Sequence, residues 1–265
     1  MLKAIFIGLI FILSGCRTTH EIEVNMDTTT YFAISNTFDE AGWRNIILIE
    51  VDENELISAI AFDGFNASVS TTRQSLSSNQ LDIDLFGYHF LSVVEQLREQ
   101  LIGLTKEEML ERLFTLSNET DEQAFSITPF AYLATEALQS RPIVAGHYLS
   151  GLYQYVGLTD VQGISEFVNL FVFYGHIVAV HWNQMTEAGL LLYDPLLLIQ
   201  QLDETTLRWL ENATLAQNLL LDVQDPTTIV FDEEGNTFVR GTQIHIESFI
   251  TLVMAALAEG PLQNE

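Results

Sequence analysis

The residues best suited to chemistry in this sequence lie near its end, in the stretch Phe238–Phe249, which reads FVRGTQIHIESF. Arg240 and the backbone N–H groups around Gly241 can bind a phosphate, because glycine lets the backbone approach closely and a guanidinium pairs with phosphate oxygens. Trp182 and Tyr174, on a predicted upstream hairpin, can stack on a flat ring. One interpretation is that together they form a site for a flat, phosphate-bearing ligand. The alternative is that the aromatics are ordinary sheet residues and Arg240 is a solvated charge.

The first residues predict export and a lipid anchor. A short positive segment, MLK, precedes an apolar run that is too short to cross a bilayer, which needs ~20 residues. The run ends in LSGC, Leu13–Cys16, which has the form of a bacterial lipobox. There the Cys16 thiol would take a diacylglycerol lipid and become the new N-terminus. We therefore interpret residues 1–15 as a lipoprotein signal peptide and 16–28 as a lipid-anchored tether at the extracytoplasmic face of a cell membrane, on the cell surface or in the periplasm. A secreted protein with a chance cysteine is the alternative.

Composition and missing motifs exclude several other functions. Cys16 is the only cysteine, so internal disulfides and cysteine-based metal sites are excluded. The six histidines show neither HxxxH nor HExxH spacing, and no Gly-x-Ser-x-Gly or Walker loop occurs. The net charge of −26, with 10 Lys and Arg, would repel nucleic acid and anionic lipid surfaces. We therefore expect no catalytic residues, no metal site and no nucleic-acid partner, while any protein partner stays open.

The elements that would position these residues occur twice. The stretches starting TTYFAISNTF and GHYLSGLYQY follow one plan, in which Tyr31 pairs with Tyr148, Gly42 with Gly163, and Phe62 with Trp182 at nearly constant separation. Each copy starts with apolar, β-branched strands and continues with helices. This predicts an α+β fold made of two tandem copies of a small domain, residues 29–140 and 141–265. In each copy an antiparallel β-hairpin or sheet packs with helices.

Capping residues, prolines and turn residues predict where the helices and hairpins begin and end. Thr105 to Glu108 has the form of a capping box that opens a helix, and Thr128-Pro129 predicts the start of the next. Asp194-Pro195 predicts another helix start, and Gly260 the end of the last helix. The stretch IVFDEEGNTFV predicts a hairpin that turns at Glu234-Gly235.

This order of elements resembles the FMN-binding domain of bacterial membrane-anchored lipoproteins, of the extracellular electron-transfer and major membrane immunogen type. Gly42-Trp43 matches the family's glycine-tryptophan start. Glu53–Glu55 and Tyr174–His176 occupy the turn where the family often has Asp-Gly-Lys, and residues 57–63 and 177–183 match the strand that follows. The resemblance covers nearly all of the chain after the tether.

The resemblance also implies a flavin site, from which this chain departs. In flavinylated members a transferase joins the flavin phosphate to the last Thr of a Ser/Thr-Gly-Ala-Thr turn before the final helix. The corresponding turn here is Arg240-Gly241-Thr242-Gln243, so Gln243 stands at the acceptor position and the hydroxyl of Thr242 comes one residue early. In the first copy the turn corresponds to Asp121-Glu122-Gln123-Ala124, which has neither the glycine nor a hydroxyl at the acceptor.

These departures predict an extracytoplasmic lipoprotein with two degenerate FMN-binding-like domains. It would be a non-catalytic ligand-binding or interaction module without covalent flavin. Its partners would be the membrane, through the lipid on Cys16, and FMN held non-covalently or another small ligand at Arg240–Gln243 and Trp182. The alternative is a flavin-dependent electron-transfer lipoprotein, with Thr242 as the acceptor.

Overall fold

The computed structural model of the protein describes residues 28–39, 42–78, 90–118, 122–191 and 204–263. The predicted signal peptide, Cys16 and nearly all of the tether lie outside the described residues, as does the predicted helix start at Asp194-Pro195. No helix within the described ranges is long and apolar enough to cross a membrane.

The described residues form two three-stranded sheets, one two-stranded hairpin and six α-helices, which confirms the predicted α+β class. The strands are β1 (Thr29–Ile34), β2 (Trp43–Val51), β3 (Ile57–Asn66), β4 (Gly151–Val156), β5 (Ile164–Phe173), β6 (His176–Thr186), β7 (Asn236–Val239) and β8 (Thr242–His245). The helices are α1 (Arg73–Ser78), α2 (Phe90–Leu101), α3 (Lys106–Ser117), α4 (Glu122–Gln139), α5 (Glu204–Val223) and α6 (Glu247–Glu259), with a short 3-10 helix at Pro226–Thr228.

The two larger sheets have the same strand order and a register shift at the same place. Their strand orders are β1-β2-β3 and β4-β5-β6, with every neighbouring pair antiparallel. In the first sheet the register shifts between Glu50 and Val51, and in the second between Phe171 and Val172. Both shifts fall at the end of the middle strand, just before the hairpin turn. The two sheets thus share strand order, strand direction and the position of a bulge, while the duplication itself stays a prediction.

The strand register corrects one pairing between the copies. Tyr31 lies opposite Ile49 of β2, and the residue at the same position of the second sheet is Tyr153, opposite Leu170 of β5. The predicted partner, Tyr148, precedes β4. Several tyrosines with apolar neighbours lie close together in this part of the sequence, and only the pairing with the next strand distinguishes them.

The sheets and helices stack in four layers, because each sheet has two apolar faces. Ile47 and Ile49 point to the face that packs under α2, α3 and α4, whereas Ile46, directly before Ile47 in sequence, points to the opposite face. That opposite face meets the second sheet, where the rings of Phe65 and Phe171 have centroids 5.8 Å apart. The second sheet buries its other face under α5, α6 and the β7–β8 hairpin. The order is therefore helices, sheet, sheet, helices.

The predicted helix start at Thr128-Pro129 is wrong. Helix α4 begins at Glu122 and continues through Pro129, although proline lacks the N–H that would bond four residues back. Ile127 and Phe130, on either side of Thr128-Pro129, are both buried in the core between the first sheet and its helices. Tertiary packing of these neighbours thus holds a helix that the proline alone would interrupt.

Other boundary predictions are confirmed. The Thr105 side chain accepts a hydrogen bond from the Glu108 backbone N–H, and the Glu108 carboxylate accepts one from the Thr105 N–H at 2.9 Å, which forms the predicted capping box. Helix α6 ends where predicted, with Gly260 at positive φ (86°).

The hairpin predicted to turn at Glu234-Gly235 is misplaced. Residues 229–231 form no strand, and Asp232–Gly235 is a turn that leads into β7. β7 instead pairs with the segment after it, β8, through the two-residue turn Arg240-Gly241. The hairpin therefore lies one element later than predicted, and the predicted phosphate-binding residues form its tip.

Candidate functional site

Arg240 and Gly241 occupy the tip of a two-residue hairpin. Both have positive φ, 51° and 86°, as expected for a turn that joins tightly twisted strands. Both residues are exposed, as are Thr242 and Gln243 at the start of β8. The Arg240 guanidinium lies 3.8 Å from the Asp222 carboxylate, and both side chains are largely in solvent. The charge of Arg240 is thus partly balanced by a neighbour, in an ion pair of the kind that contributes little.

The predicted passage from this turn directly into the last helix is wrong. Strand β8 and Ile246 separate Gln243 from Glu247, the first residue of α6. The N-terminus of α6 carries no side-chain cap, and its first turn contains the acidic Glu247. The N–H groups of a helix start, which would favour a phosphate, are therefore not combined with Gly241.

Trp182 belongs to the core of the second copy. It is 5% exposed, and its ring packs against Trp209 and Phe249 at centroid distances of 5.3 and 5.1 Å. The first copy has the same contact between Phe62 and Phe130, at 5.1 Å. The Trp182 Nε1 atom is buried and has no hydrogen-bond partner within the described part of the chain. The ring thus fills the core, in agreement with the interpretation of Trp182 as a sheet aromatic.

Tyr174 also has a structural place. It has positive φ (50°) in the β5–β6 turn, and its hydroxyl lies 3.0 Å from the Thr30 hydroxyl of the first copy. Tyr174 therefore links the two copies. Tyr174 in the β5–β6 turn, Trp182 in the core and Arg240 at the exposed hairpin tip thus have different surroundings.

The described residues contain a groove of about 640 Å³ on the outer side of the first copy, between α3 and α4. This volume lies in the range of ligand pockets. Its floor and walls come from one stripe of each helix; the lining residues are Leu110, Leu113, Phe114, Ser117, Thr128, Ala131, Tyr132, Thr135, Glu136 and Gln139. We call this feature the α3–α4 groove.

Two exposed aromatic rings border the α3–α4 groove. Phe114 is 72% exposed and Tyr132 is 63% exposed, so two aromatic rings at this groove lie largely in water. The core side of α3 carries Met109 and Leu116, which are buried. Helix α3 therefore has apolar side chains on its solvent side as well as its core side, and only the core side is covered.

Glu136 is the one charged residue that lines the α3–α4 groove. Its Oε2 atom is buried and has no hydrogen-bond partner among the described residues. A buried carboxylate oxygen without a donor is costly. The Glu136 residue as a whole is only half-buried, so its carboxylate would gain from a donor or cation at the surface of the groove. The groove thus combines apolar walls with one carboxylate that can pair with a positively charged group.

The α3–α4 groove was not predicted from the sequence, although a signal was present. Leu110, Phe114 and Ser117 recur at helical spacing beside the core stripe of α3, and a second stripe runs along α4. Apolar residues on two sides of a predicted surface helix would have indicated a second contact surface.

Two buried titratable groups face the interior of the sheets. Burial raises the pKa of Asp63 to about 6, although backbone N–H groups of Gln74 and Gly64 donate to its carboxylate. Burial lowers the pKa of His181 to about 4. The residue equivalent to Asp63 in the second copy is Asn183, whose Oδ1 accepts the next backbone N–H at the same 2.7 Å distance. The protonation of Asp63 and His181 therefore affects the stability of the fold. Within the described ranges, no cluster of three or more His, Cys, Asp or Glu side chains is arranged to hold a metal ion.

Comparison with known proteins gives little further information. No protein-family model matches the sequence, and no curated protein matches it. A solution NMR structure from Clostridium thermocellum, a structural genomics target, is similar at 25% identity over 42% of this chain and 90% of its own length, with a TM-score of 0.32. A similarity at this TM-score carries no argument about fold or function.

Proposed function

We propose that this protein is a membrane-anchored extracytoplasmic lipoprotein whose two flavin-domain-like copies form a binding module without covalent flavin. The observation that carries the proposal is the α3–α4 groove, whose lining includes two exposed aromatic rings and Glu136, with a carboxylate oxygen that has no hydrogen-bond partner among the described residues. Such a surface is typical of a site that is covered by a partner or ligand.

The hairpin tip supports the absence of covalent flavin. Gln243 stands at the acceptor position, and its amide cannot form a phosphoester. The tip is exposed and separate from the N-terminus of α6, so it provides no enclosed place for a flavin ring. FMN remains a ligand to be tested, held without a covalent bond.

Electron transfer through flavin is the second candidate function, because the Thr242 hydroxyl is exposed beside Gly241, where a transferase could reach it. The experiment is to co-express the chain with a flavin transferase and to view a denaturing gel for in-gel flavin fluorescence. A flavinylated homologue serves as the bright control. The proposal predicts a dark band, whereas a fluorescent band that Thr242→Ala darkens would contradict it and establish the electron carrier.

A further inference from the structure

We propose that the α3–α4 groove binds a basic amphipathic helix of a partner protein. The inference rests on the proposed binding function and specifies its ligand. It starts from the shape of the groove, whose walls are two neighbouring helices with lining residues at helical spacing. A channel between two helices is the place where the apolar face of a third helix packs.

The size of the groove suits a short helix. The lining on α4 extends from Thr128 to Gln139, which at 1.5 Å per residue is roughly 16 Å, or about three helical turns. Phe114 and Tyr132 border this length and are largely exposed, so they can act as anchors without rearrangement of the core. Exposed aromatic residues of this kind often supply most of the binding energy of an interface.

The charges around the groove select a basic partner. Glu136 is the charged residue of the lining, and Glu107 and Glu111 are exposed on α3, three residues before Leu110 and Phe114 respectively, and so next to them on the helix surface. The basic residue of the first turn, Lys106, is directed to the sheet, where its ammonium group donates to the Tyr31 hydroxyl at 3.1 Å. A Lys or Arg on the partner helix would therefore meet acidic groups and no basic residue of the lining, whereas an acidic helix would be repelled.

The test uses the full chain in nanodiscs of zwitterionic lipid, with empty nanodiscs as the blank. The probe is a fluorescent Leu/Lys peptide, patterned to form an amphipathic helix, and its affinity is measured by anisotropy at physiological salt. A Leu/Glu peptide with the same apolar face is the matched probe. We expect the Leu/Lys peptide to bind and the Leu/Glu peptide not to bind. We also expect Phe114→Ala with Tyr132→Ala to weaken binding by roughly tenfold or more, and Glu136→Gln to weaken it and reduce its salt dependence.

Control variants separate the groove from general attraction to an acidic protein. Phe238 is 72% exposed, like Phe114, but lies on the β7–β8 hairpin, and Glu233 is an exposed acid in the preceding turn. Phe238→Ala and Glu233→Gln should leave peptide affinity unchanged. Equal losses in the control and groove variants would overturn the proposal. So would equal binding of the Leu/Glu peptide, absence of binding by either peptide, or a dimer of the chain that Phe114→Ala dissociates, because a second copy would then be the occupant.

The outcome is distinguishable from that of the proposed function. A fluorescent flavin band would contradict the proposed function whatever the peptide does. A dark band without peptide binding would overturn only the basic helix as the ligand.

Discussion

Replacing Asp63 with asparagine should stabilise the protein at neutral pH. Asp63 is 4% exposed and lies in β3 on the face toward the second sheet. Its Oδ1 accepts hydrogen bonds from the backbone N–H groups of Gly64 and Gln74 at 2.7 and 2.9 Å. Burial nevertheless raises its pKa from 3.8 to about 6, because the charged form loses its hydration. The second copy has the neutral Asn183 at this position, which shows that the fold accommodates an amide there.

The magnitude follows from linkage between protonation and folding. Because the folded-state pKa is raised, the folded chain binds more protons than the unfolded chain between pH 3.8 and about 6. The stability that Asp63 contributes is therefore complete below pH 3.8 and is lost as the pH rises through about 6. A shift of about two units corresponds to roughly 3 kcal/mol in the free energy of unfolding above that range. Asp63→Asn keeps the two accepted hydrogen bonds and removes the charge, so it should recover up to about this amount at neutral pH and little at low pH.

The assay is urea unfolding followed by tryptophan fluorescence, at about pH 4 and about pH 7.5. Asp232→Asn is the matched control, because the Asp232 carboxylate also accepts two backbone hydrogen bonds, from Glu234 and Asn236, but is exposed. The control should change stability by less than about 0.5 kcal/mol. If Asp63→Asn leaves stability unchanged or lowers it at the higher pH, the reasoning from burial is refuted. The cost of burying the charged carboxylate would then be offset by its neighbours, among which Arg73 carries the positive charge.

Two further predictions concern titration and backbone strain. Because burial lowers the pKa of His181 to about 4, the folded state favours the neutral imidazole, and the stability that this group contributes is lost as the pH falls from 6.5 toward 4. His181→Gln, made in the Asp63→Asn background, should therefore reduce the loss of stability against urea between pH 6.5 and 4. An unchanged loss would contradict the assignment of this pH dependence to His181. Glu55 has φ of 63° in a turn closed by the same pattern of backbone hydrogen bonds as two other turns, which have glycine at this position, Gly163 at 78° and Gly235 at 79°. Relief of this strain by Glu55→Gly should raise stability by about 0.5–1 kcal/mol, and Gly163→Ala should lower it by a similar amount or more, both by thermal unfolding; a stability loss in Glu55→Gly would show that the turn carries no such strain.

The sequence predicted the two sheets because their strands are encoded locally. Apolar β-branched runs such as Ile46–Val51 are separated by turns with Asp or Gly, and these patterns hold in both copies. The four-layer arrangement was less visible, because Ile46 and Ile47 are equally apolar and both buried, although they belong to different cores. A strand that is buried on both faces loses the alternation that would reveal its orientation.

The site was predicted less well because its location depended on a choice between two turns. Asp232–Gly235 and Arg240-Gly241 both have turn chemistry, and the sequence favoured the first as the hairpin. The choice was decided by burial, since Val239 and Ile244, on either side of the second turn, both enter the core of the second copy. Long-range packing of this kind cannot be obtained from local pattern, so the exposure of Thr242 could not be predicted.

The most direct test of the central claim is the intact mass of the mature chain purified from its native membrane. The account predicts a chain that begins at Cys16, carries a diacylglycerol lipid there, and has no covalent flavin phosphate. A mass that includes a flavin phosphate, mapped by peptide sequencing to Thr242, would contradict the claim of a binding module without covalent flavin. A chain that retains residues 1–15 and carries no lipid would contradict the anchor.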